Sequence, residues 1–209
     1  LLQNHPWFEI SFLGASERSA NKKYSQACQW QMPSHLDEKV AGMTVHACQD
    51  SLKDSHKNIP LFFSALDASC AEELELEYAN RGKLVVSNAK NFRMHPEVPL
   101  VVPEVNAEHL SRIKKQSQWK GAIVCNPNCC VVGLVLALKP LEAMFGLEKI
   151  QVTSMQAISG AGFNGLGANN IMDNVLPYIE GEEQKVETEP KKIFGLLKIQ
   201  NMSQIKYLI

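Results

Sequence analysis

The sequence predicts an α/β fold class, built as a doubly wound parallel sheet. Short apolar segments alternate with segments of helical periodicity over residues 8–124. The apolar segments are nearly continuous, which is typical of strands that helices cover on both faces. Strands separated by helices indicate βαβ units and therefore parallel pairing. Ligands in such sheets bind beyond the carboxyl ends of the strands, so the turns after the strands are the candidate positions for a site.

The expected elements follow the apolar runs in order along the chain. Strands are predicted at residues 8–13, 44–48, 61–65, 84–87 and 121–124. A helix is predicted over residues 68–82, where Arg81-Gly82 closes a segment with one apolar face. That face consists of Ala71, Leu74, Tyr78 and Ala79.

The pattern changes near Ile150. The segment IQVTSMQAIS, residues 150–159, predicts a longer amphipathic strand, and the mixed charge run EGEEQKVETEPKK follows farther along. We therefore place a domain transition between residues 143 and 149, with one domain over residues 1–145 and a second, partial domain over residues 146–209.

Composition excludes several classes of function. The 209 residues carry a net charge of -1, which argues against nucleic acid or an anionic membrane surface as the main partner. No apolar run reaches the roughly 18–20 residues that a membrane span needs. The N-terminal LLQNHPWFEI lacks the basic region and cleavage site of a secretory signal. These features predict a cytoplasmic protein.

The six cysteines show no zinc-type pairing, so we predict no metal site. A chain of this length and apolar content does not need disulfides to hold a core. The ordinary interpretation is free, buried thiols in a reducing compartment. Cys129 is the exception.

Cys129 follows the turn residues Asn126-Pro127-Asn128 after a predicted strand, and an apolar helix follows it. A thiol at a helix N-terminus gains thiolate character from the dipole, and the N–H groups there can hold an oxyanion. The alternative is an inert cysteine at a helix start. Cys130 is predicted to point elsewhere, into the core.

Several motifs in one order resemble a known family. N-P-N-C before a helix ending in L-K-P-L, and then Q-A-I-S-G-A-G, resemble aspartate-semialdehyde dehydrogenases of the archaeal and fungal branch. The stretches ASERSANKKY, LFFSALDA and SNAKNFRM agree, and the resemblance covers about residues 1–195. It implies a dinucleotide-binding domain plus the start of an α+β catalytic/dimerisation domain, and a homo-oligomer.

The resemblance also implies a reaction. Aspartyl phosphate is reduced with NADPH to aspartate semialdehyde and phosphate, through a cysteine thioester, on the way to lysine, methionine, threonine and isoleucine. Cys129 matches the nucleophile and Gln156 the glutamine that orients the substrate. Residues matching substrate contacts are Arg93, Asn128, Glu183 and Lys185. The alternatives are a sheet glutamine for Gln156, a surface arginine for Arg93, and a solvated charged face for Glu183 and Lys185.

The cofactor implied is NADP. Ser16, Arg18 and Ser19 lie after the first predicted strand, where hydroxyls and an arginine suit a 2′-phosphate. Other matches near the cofactor are Ser64, Ala65 and Asn88. Ser159, Gly160 and Gly162 match a turn under the nicotinamide, where glycine lets the backbone approach the ring.

Two departures from the family pattern qualify this expectation. The chain begins after the position of the family's glycine-rich strand–turn–helix, and all six histidines precede Cys129. We therefore expect a chain truncated at both ends that is inactive and marginally folded alone. Two other functions stay open: a malonyl-CoA reductase of the same branch, and a non-catalytic fragment that associates with other subunits.

Overall fold

The computed structural model describes residues 2–53, 56, 58–161 and 165–195. The chain separates into two compact units. The first contains Leu1–Ser87 and Gln116–Ile123, and the second contains Asn88–Lys115 and Val124–Ile209. The predicted boundary between residues 145 and 146 stays a prediction.

The first unit carries parallel strands, as the sequence predicts, but they belong to two separate sheets, one of two strands and one of three. Its strands are β1 (Leu13–Ala15), β2 (Val45–Ala47), β3 (Leu61–Ser64) and β4 (Leu84–Ser87), and its helices are α1 (Tyr24–Ala27), α2 (Glu38–Ala41) and α3 (Ala68–Asn80). A 3-10 turn spans Cys48–Leu52. β1 pairs with β2, and β3 pairs with β4, both in parallel. The fold class is therefore confirmed.

β5 (Ala122–Cys125) follows β4 in the strand order β3-β4-β5. The Ala122 N–H donates to the Lys83 carbonyl at 3.0 Å. The side chain of Gln116 completes the pairing of Ile123, because it bonds both the N–H and the carbonyl of that residue at 2.8 Å. β5 leads out of the first unit into the turn that carries the predicted thiol.

Helix α3 forms where the sequence predicts a helix, and it packs against β4. Its four predicted apolar residues are buried, and Tyr78 stacks on Phe62 with ring centroids 4.3 Å apart. The helix ends at Asn80, and Gly82 takes a positive φ of 83° that glycine adopts without strain. The phase and the end of this helix were therefore predictable from its apolar period and its closing glycine.

Two strand predictions need correction. The first strand is Leu13–Ala15, so most of residues 8–13 lies outside it. Residues 151–157 form no strand, and a 3-10 turn occupies Ile158–Ala161. A strand exists only when a neighbour completes its hydrogen-bond ladder, and no neighbouring strand pairs with these residues in the described part of the chain.

The second unit is mainly helical. It contains α4 (Pro103–Asn106), a 3-10 segment at Ala107–Lys115, α5 (Cys129–Phe145) and α6 (Glu182–Ile193). α5 packs against both α4 and α6. The core of this unit includes Val98, Leu100, Val105, Val131, Val135 and Ile193. Within the described residues, each helix is too short or too polar to cross a membrane.

Residues 99–102 fix the exit from β5. Cys125 donates its N–H to the Pro99 carbonyl at 2.9 Å and accepts from the Val101 N–H at 3.0 Å. The buried amide of Asn106 holds the same segment, because it accepts from the Val102 N–H and donates to the Leu100 carbonyl, each at 2.9 Å. The turn after Cys125 therefore starts from a rigid base.

Candidate active site

Cys129 is the first residue of α5, as the sequence predicts. Asn128 is the N-cap, and its side-chain oxygen accepts from the N–H groups of Cys130 at 2.9 Å and Val131 at 3.3 Å. The Cys129 side chain is exposed. The sulfur therefore lies at the positive end of the helix dipole. The Asn128 side chain already accepts hydrogen bonds from the N–H groups of Cys130 and Val131. An oxyanion at this position would therefore be stabilised more by the helix dipole than by these two N–H groups.

Cys130 is not a core residue, which corrects the prediction. It is half-buried, and burial raises its pKa to about 11, helped by a hydrogen bond to Glu182 and by the neighbouring Cys129. Cys130 is therefore protonated at neutral pH. The broader expectation of buried thiols is also wrong, because only Cys125 of the six cysteines is buried.

Glu182 is the centre of a polar cluster beside the thiols. Its carboxylate accepts from Gln156 Nε2 at 2.9 Å, from Asn128 Nδ2 at 3.1 Å and from Lys185 Nζ at 3.4 Å. Burial raises the pKa of Glu182, but the hydrogen bonds from Gln156 and Asn128 and the Lys185 charge outweigh burial and lower it overall. Glu182 is therefore a carboxylate at neutral pH.

The structure favours Glu182 over the predicted Glu183 as the carboxylate of this site. Glu182 is 8% exposed, whereas Glu183 is only half-buried and stands outside these hydrogen bonds. Successive helical residues point about 100° apart, so only one of two neighbours can face the cluster. Gln156 is joined to the cluster through Glu182, and the sheet-glutamine alternative is wrong because no strand forms there.

Arg93 is the centre of a second group of hydrogen bonds. It is not a surface arginine, because only 12% of its side chain is exposed. Its Nη1 donates to Glu189 Oε1 at 3.0 Å, and its Nη2 donates to the Asn88 carbonyl at 2.8 Å. Its Nε is enclosed without a hydrogen-bond partner among the described residues. Lys192 donates to the carbonyls of Arg93 and His95, the latter at 2.8 Å.

Three of the four predicted substrate residues, Arg93, Asn128 and Lys185, line one cleft of about 660 Å³ within the second unit, whereas Glu183 does not line it. Its walls include Asn88, Arg93, Asn126, Asn128, Cys129 and Lys185. Asn126 donates to the Asn88 side chain at 2.7 Å, which ties two of these walls together. A guanidinium and an ammonium beside a thiol suit an anionic group, because both donate charge-assisted hydrogen bonds.

The ligand atoms of Cys129, Cys130 and Glu182 lie within 4.8 Å of one another. Two sulfurs and a carboxylate are a donor set that a soft metal ion can use. However, the Glu182 oxygens already accept from three side chains, and the Lys185 charge stands beside them. We therefore interpret this group as the surroundings of the thiol.

The predicted cofactor residues of the first unit follow its strands. Ser16 begins a turn after β1, and its carbonyl accepts from the Ser19 N–H at 2.9 Å, which leaves the Ser16 and Arg18 side chains exposed. Ala65 is exposed after β3. The hydroxyl of Ser64 is used internally, since it donates to the buried Glu75 at 2.6 Å.

The remaining predicted cofactor residues belong to the second unit. Ser159 and Gly160 are exposed in the 3-10 turn Ile158–Ala161, and a Cβ at Gly160 would meet no atom of the described residues within 4 Å. Asn88 lines the cleft. Gly162 lies outside the described residues.

The sequence interpretation missed Glu182, Glu189 and Lys192. All three are buried on α6, with 8%, 2% and 5% of their surface exposed. Their positions, together with Lys185, follow the spacing i, i+3, i+7, i+10, which places them on one helix face. Charged residues that recur at this helical spacing were the signal in the sequence that one face of α6 is buried and not solvated.

The parallel strands of the first unit and the cleft of the second define an α/β protein whose candidate site contains an exposed cysteine. The family model for the semialdehyde dehydrogenase NAD binding domain matches residues 1–113, and that for the semialdehyde dehydrogenase dimerisation domain matches residues 138–205. The chain belongs to the semialdehyde dehydrogenase family, which confirms the resemblance seen in the sequence.

Individual relatives agree. The chain is 44% identical to the aspartate-semialdehyde dehydrogenase of Aspergillus fumigatus, with 94% of this chain and 55% of that protein covered. It is 44% identical to that of Archaeoglobus fulgidus, with 93% and 56% covered. The crystal structure of aspartate semialdehyde dehydrogenase with NADP from Candida albicans gives a TM-score of 0.81 at 41% identity, with 90% and 54% covered. The chain thus spans about half the length of these relatives.

Proposed function

We propose that a protein carrying this chain is an NADP-dependent aspartate-semialdehyde dehydrogenase, acting in the biosynthesis of lysine, methionine, threonine and isoleucine. One observation carries the proposal: Cys129 begins a capped helix in a cleft that Arg93 and Lys185 also line. The names of the relatives support the substrate class, and the Candida albicans structure with NADP supports the cofactor.

Arg93 and Lys185 would hold the phosphate of aspartyl phosphate. The guanidinium offers planar, paired donors and the ammonium a mobile point charge. Glu182, which stays ionised, would bind the substrate ammonium group, and Glu183 is the less favoured candidate. Gln156, held by Glu182 at 2.9 Å, would orient the substrate at the sulfur.

The Cys129 thiolate would then attack the acyl carbon of aspartyl phosphate. A carbon–sulfur bond forms, the carbon–oxygen bond to phosphate breaks, and phosphate leaves with the electron pair of that bond. The helix dipole at Cys129 would stabilise both the thiolate and the oxyanion of this step. Cys130, whose pKa is about 11, would remain a protonated neighbour.

NADP fits the donor set of the first unit. Ser16, Arg18 and Ser19 place hydroxyls and a guanidinium in the turn after β1, which is chemistry suited to a 2′-phosphate. When bound, the reduced cofactor supplies the hydride that takes the thioester to the aldehyde. Ser64, Ala65, Asn88, Ser159, Gly160 and Gly162 are further proposed contacts.

The proposal extends to organisation. A dinucleotide-binding domain would cover residues 1–145 and a catalytic and dimerisation domain residues 146–209. The protein would form a homo-oligomer in the cytoplasm. Its partners would be small molecules, namely aspartyl phosphate, aspartate semialdehyde and phosphate.

The test uses the full-length protein that carries this chain, and it measures reduction of NADP+ with aspartate semialdehyde and phosphate, and release of phosphate from an acyl phosphate as a half-reaction. Cys129→Ala should abolish both, whereas Cys130→Ala should retain most of each. Iodoacetamide followed by peptide mapping should label Cys129 first. Loss of activity in Cys130→Ala alone, or turnover of malonyl-CoA in place of these substrates, would contradict the proposal.

A further inference from the structure

One buried carboxylate joins two parts of the cleft that are far apart in sequence. Glu189 is 2% exposed. Its Oε1 accepts from Arg93 Nη1 at 3.0 Å, and its Oε2 accepts from the Asn128 N–H at 2.7 Å. Each oxygen therefore holds one partner, and the fixed geometry of a carboxylate sets the distance between them.

We propose that Glu189 is a positioning residue, which orients the Arg93 guanidinium relative to the backbone that leads into Cys129. The inference rests on the proposed function, because it assigns Arg93 the task of holding phosphate. In that reaction the leaving phosphate must stand beside the acyl carbon that Cys129 attacks. A single side chain that holds both the arginine and Asn128 fixes this relation.

Lys192 supports the assignment from the next turn of α6. Its ammonium donates to the Arg93 and His95 carbonyls, so it fixes the backbone of Arg93. Glu189 fixes the guanidinium of the same residue. Residues three apart lie on the same helix face. α6 therefore restrains Arg93 at both ends, and an unrestrained arginine would sample many rotamers before binding an anion.

The charge state explains why glutamine cannot replace this residue. Arg93 Nη1 and the Asn128 N–H are both donors, so two acceptor oxygens are required. An amide offers one acceptor and one NH₂ group, which would face a donor. Removing one partner of a buried ion pair also leaves the other charge without compensation. Glu189→Gln should therefore misplace Arg93 while keeping the size of the side chain.

The experiment compares Glu189→Gln with Glu187→Gln, a half-buried neighbour on α6 outside the cleft. The KM for phosphate in NADP+ reduction should rise about tenfold or more in Glu189→Gln, the scale of a lost hydrogen bond to a charged group. The KM for aspartate semialdehyde should change far less. Glu187→Gln should leave both constants at their wild-type values.

A second readout does not need turnover. Inorganic phosphate should slow the alkylation of Cys129 by iodoacetamide in the full-length wild-type protein, and Glu189→Gln should need about tenfold more phosphate for the same protection. In an Arg93→Ala background the Glu189→Gln change should add little, since coupled residues are not additive. A purely structural role would add the same loss in both backgrounds.

The outcomes separate the two proposals. Wild-type phosphate constants in Glu189→Gln would overturn the positioning role and leave the proposed function standing. Phosphate protection that depends on Glu189, without any turnover, would keep the positioning role and overturn the proposed function. No phosphate protection and no turnover in the wild type would overturn both. If Glu189→Gln does not fold, Glu189→Asp, with its shorter carboxylate, carries the same comparison.

Discussion

Glu182 and Glu183 are adjacent residues, yet only Glu182 is buried among hydrogen-bond donors. The lowered pKa of Glu182 means that its carboxylate stabilises the fold above its ordinary value of 4.5, and that this contribution is lost as pH falls through the lower folded-state pKa. Glu182→Gln should therefore lower the Tm most at neutral pH, and the difference should shrink below pH 4.5. Glu183→Gln is the matched control. A Tm difference that stays constant from pH 7 to acid would contradict this prediction.

Glu75 should show the opposite sign. Burial raises its pKa, and the hydroxyls of Ser64 and Ser87, at 2.6 and 2.7 Å, only partly offset this. The protonated Glu75 carboxyl contributes its full stabilisation of the fold below the ordinary pKa of 4.5. This contribution is lost as pH rises through the higher folded-state pKa. Glu75→Gln should therefore gain Tm relative to wild type as pH rises. The exposed Glu73→Gln on α3 should show no such trend, and a flat difference for Glu75→Gln would be inconsistent with a raised pKa.

Residue identity was predictable where a motif carried it, and partners were not. The SNAKNFRM stretch predicted Arg93, which lines the cleft, but its partner Glu189 lies 96 positions away. Glu183 stays a prediction, but the buried face of α6 carries its neighbour Glu182, because that face depends on where the helix begins and how it packs. Long-range pairs and helix phase are tertiary properties that local patterns do not contain.

The start of α5 depends on a side chain that both accepts and donates. Asn128 accepts from the helix N–H groups and donates to Glu182 at 3.1 Å. Asn128→Ala should lose about 1 kcal/mol of stability from the missing cap. Asn128→Asp keeps the cap but places a carboxylate against Glu182, so it should also be destabilised, and Glu182→Gln should restore it. Thermal unfolding of the three variants measures this. An Asn128→Asp variant as stable as wild type would show that the donated bond contributes little.

Two glycines should respond oppositely to alanine. At Gly121, before β5, a Cβ would stand 2.1 Å from the Lys83 carbonyl oxygen, so Gly121→Ala should destabilise the fold by about 1–3 kcal/mol or more. At Gly133, inside α5, a Cβ would meet nothing within 4 Å in the part of the chain that the structure describes. Gly133→Ala should therefore stabilise the helix by about 0.5–1 kcal/mol. Urea unfolding of both variants tests the pair, and a stable Gly121→Ala would mean that the β5 register differs.

Elements were predictable where local pattern and tertiary environment agree. The apolar runs at residues 44–48, 61–65, 84–87 and 121–124 became β2 to β5, shifted by at most a residue or two. Residues 150–159 have the same β-type composition but lack a ladder partner among the described residues, so they form no strand. The sequence pattern shows that a segment can form a strand, and a neighbouring strand to pair with decides whether it does.

At the scale of the whole molecule, the order of separated motifs was enough to predict the family, and the two family models confirm it. The domain models also cover segments that carry no site residue. The arrangement of subunits was not predictable in the same way, because the surface that pairs two chains has no motif of its own. The model for the dimerisation domain, over residues 138–205, indicates where that surface should be sought.

The segment after Gln156 exposes several large apolar side chains. They include Met172 at 68%, Val175 at 79% and Tyr178 at 62% exposure. Met155, directly before Gln156, is 97% exposed. Because exposed apolar surface is stabilised by burial against another chain, we predict that the protein self-associates. Sedimentation velocity over a range of concentrations should show an oligomer that Met172→Ser with Val175→Ser weakens. Met32→Ser, at 63% exposure in the other unit, is the control and should change nothing. A monomer at every concentration, or equal effects of the two surfaces, would show that this segment does not pair the subunits.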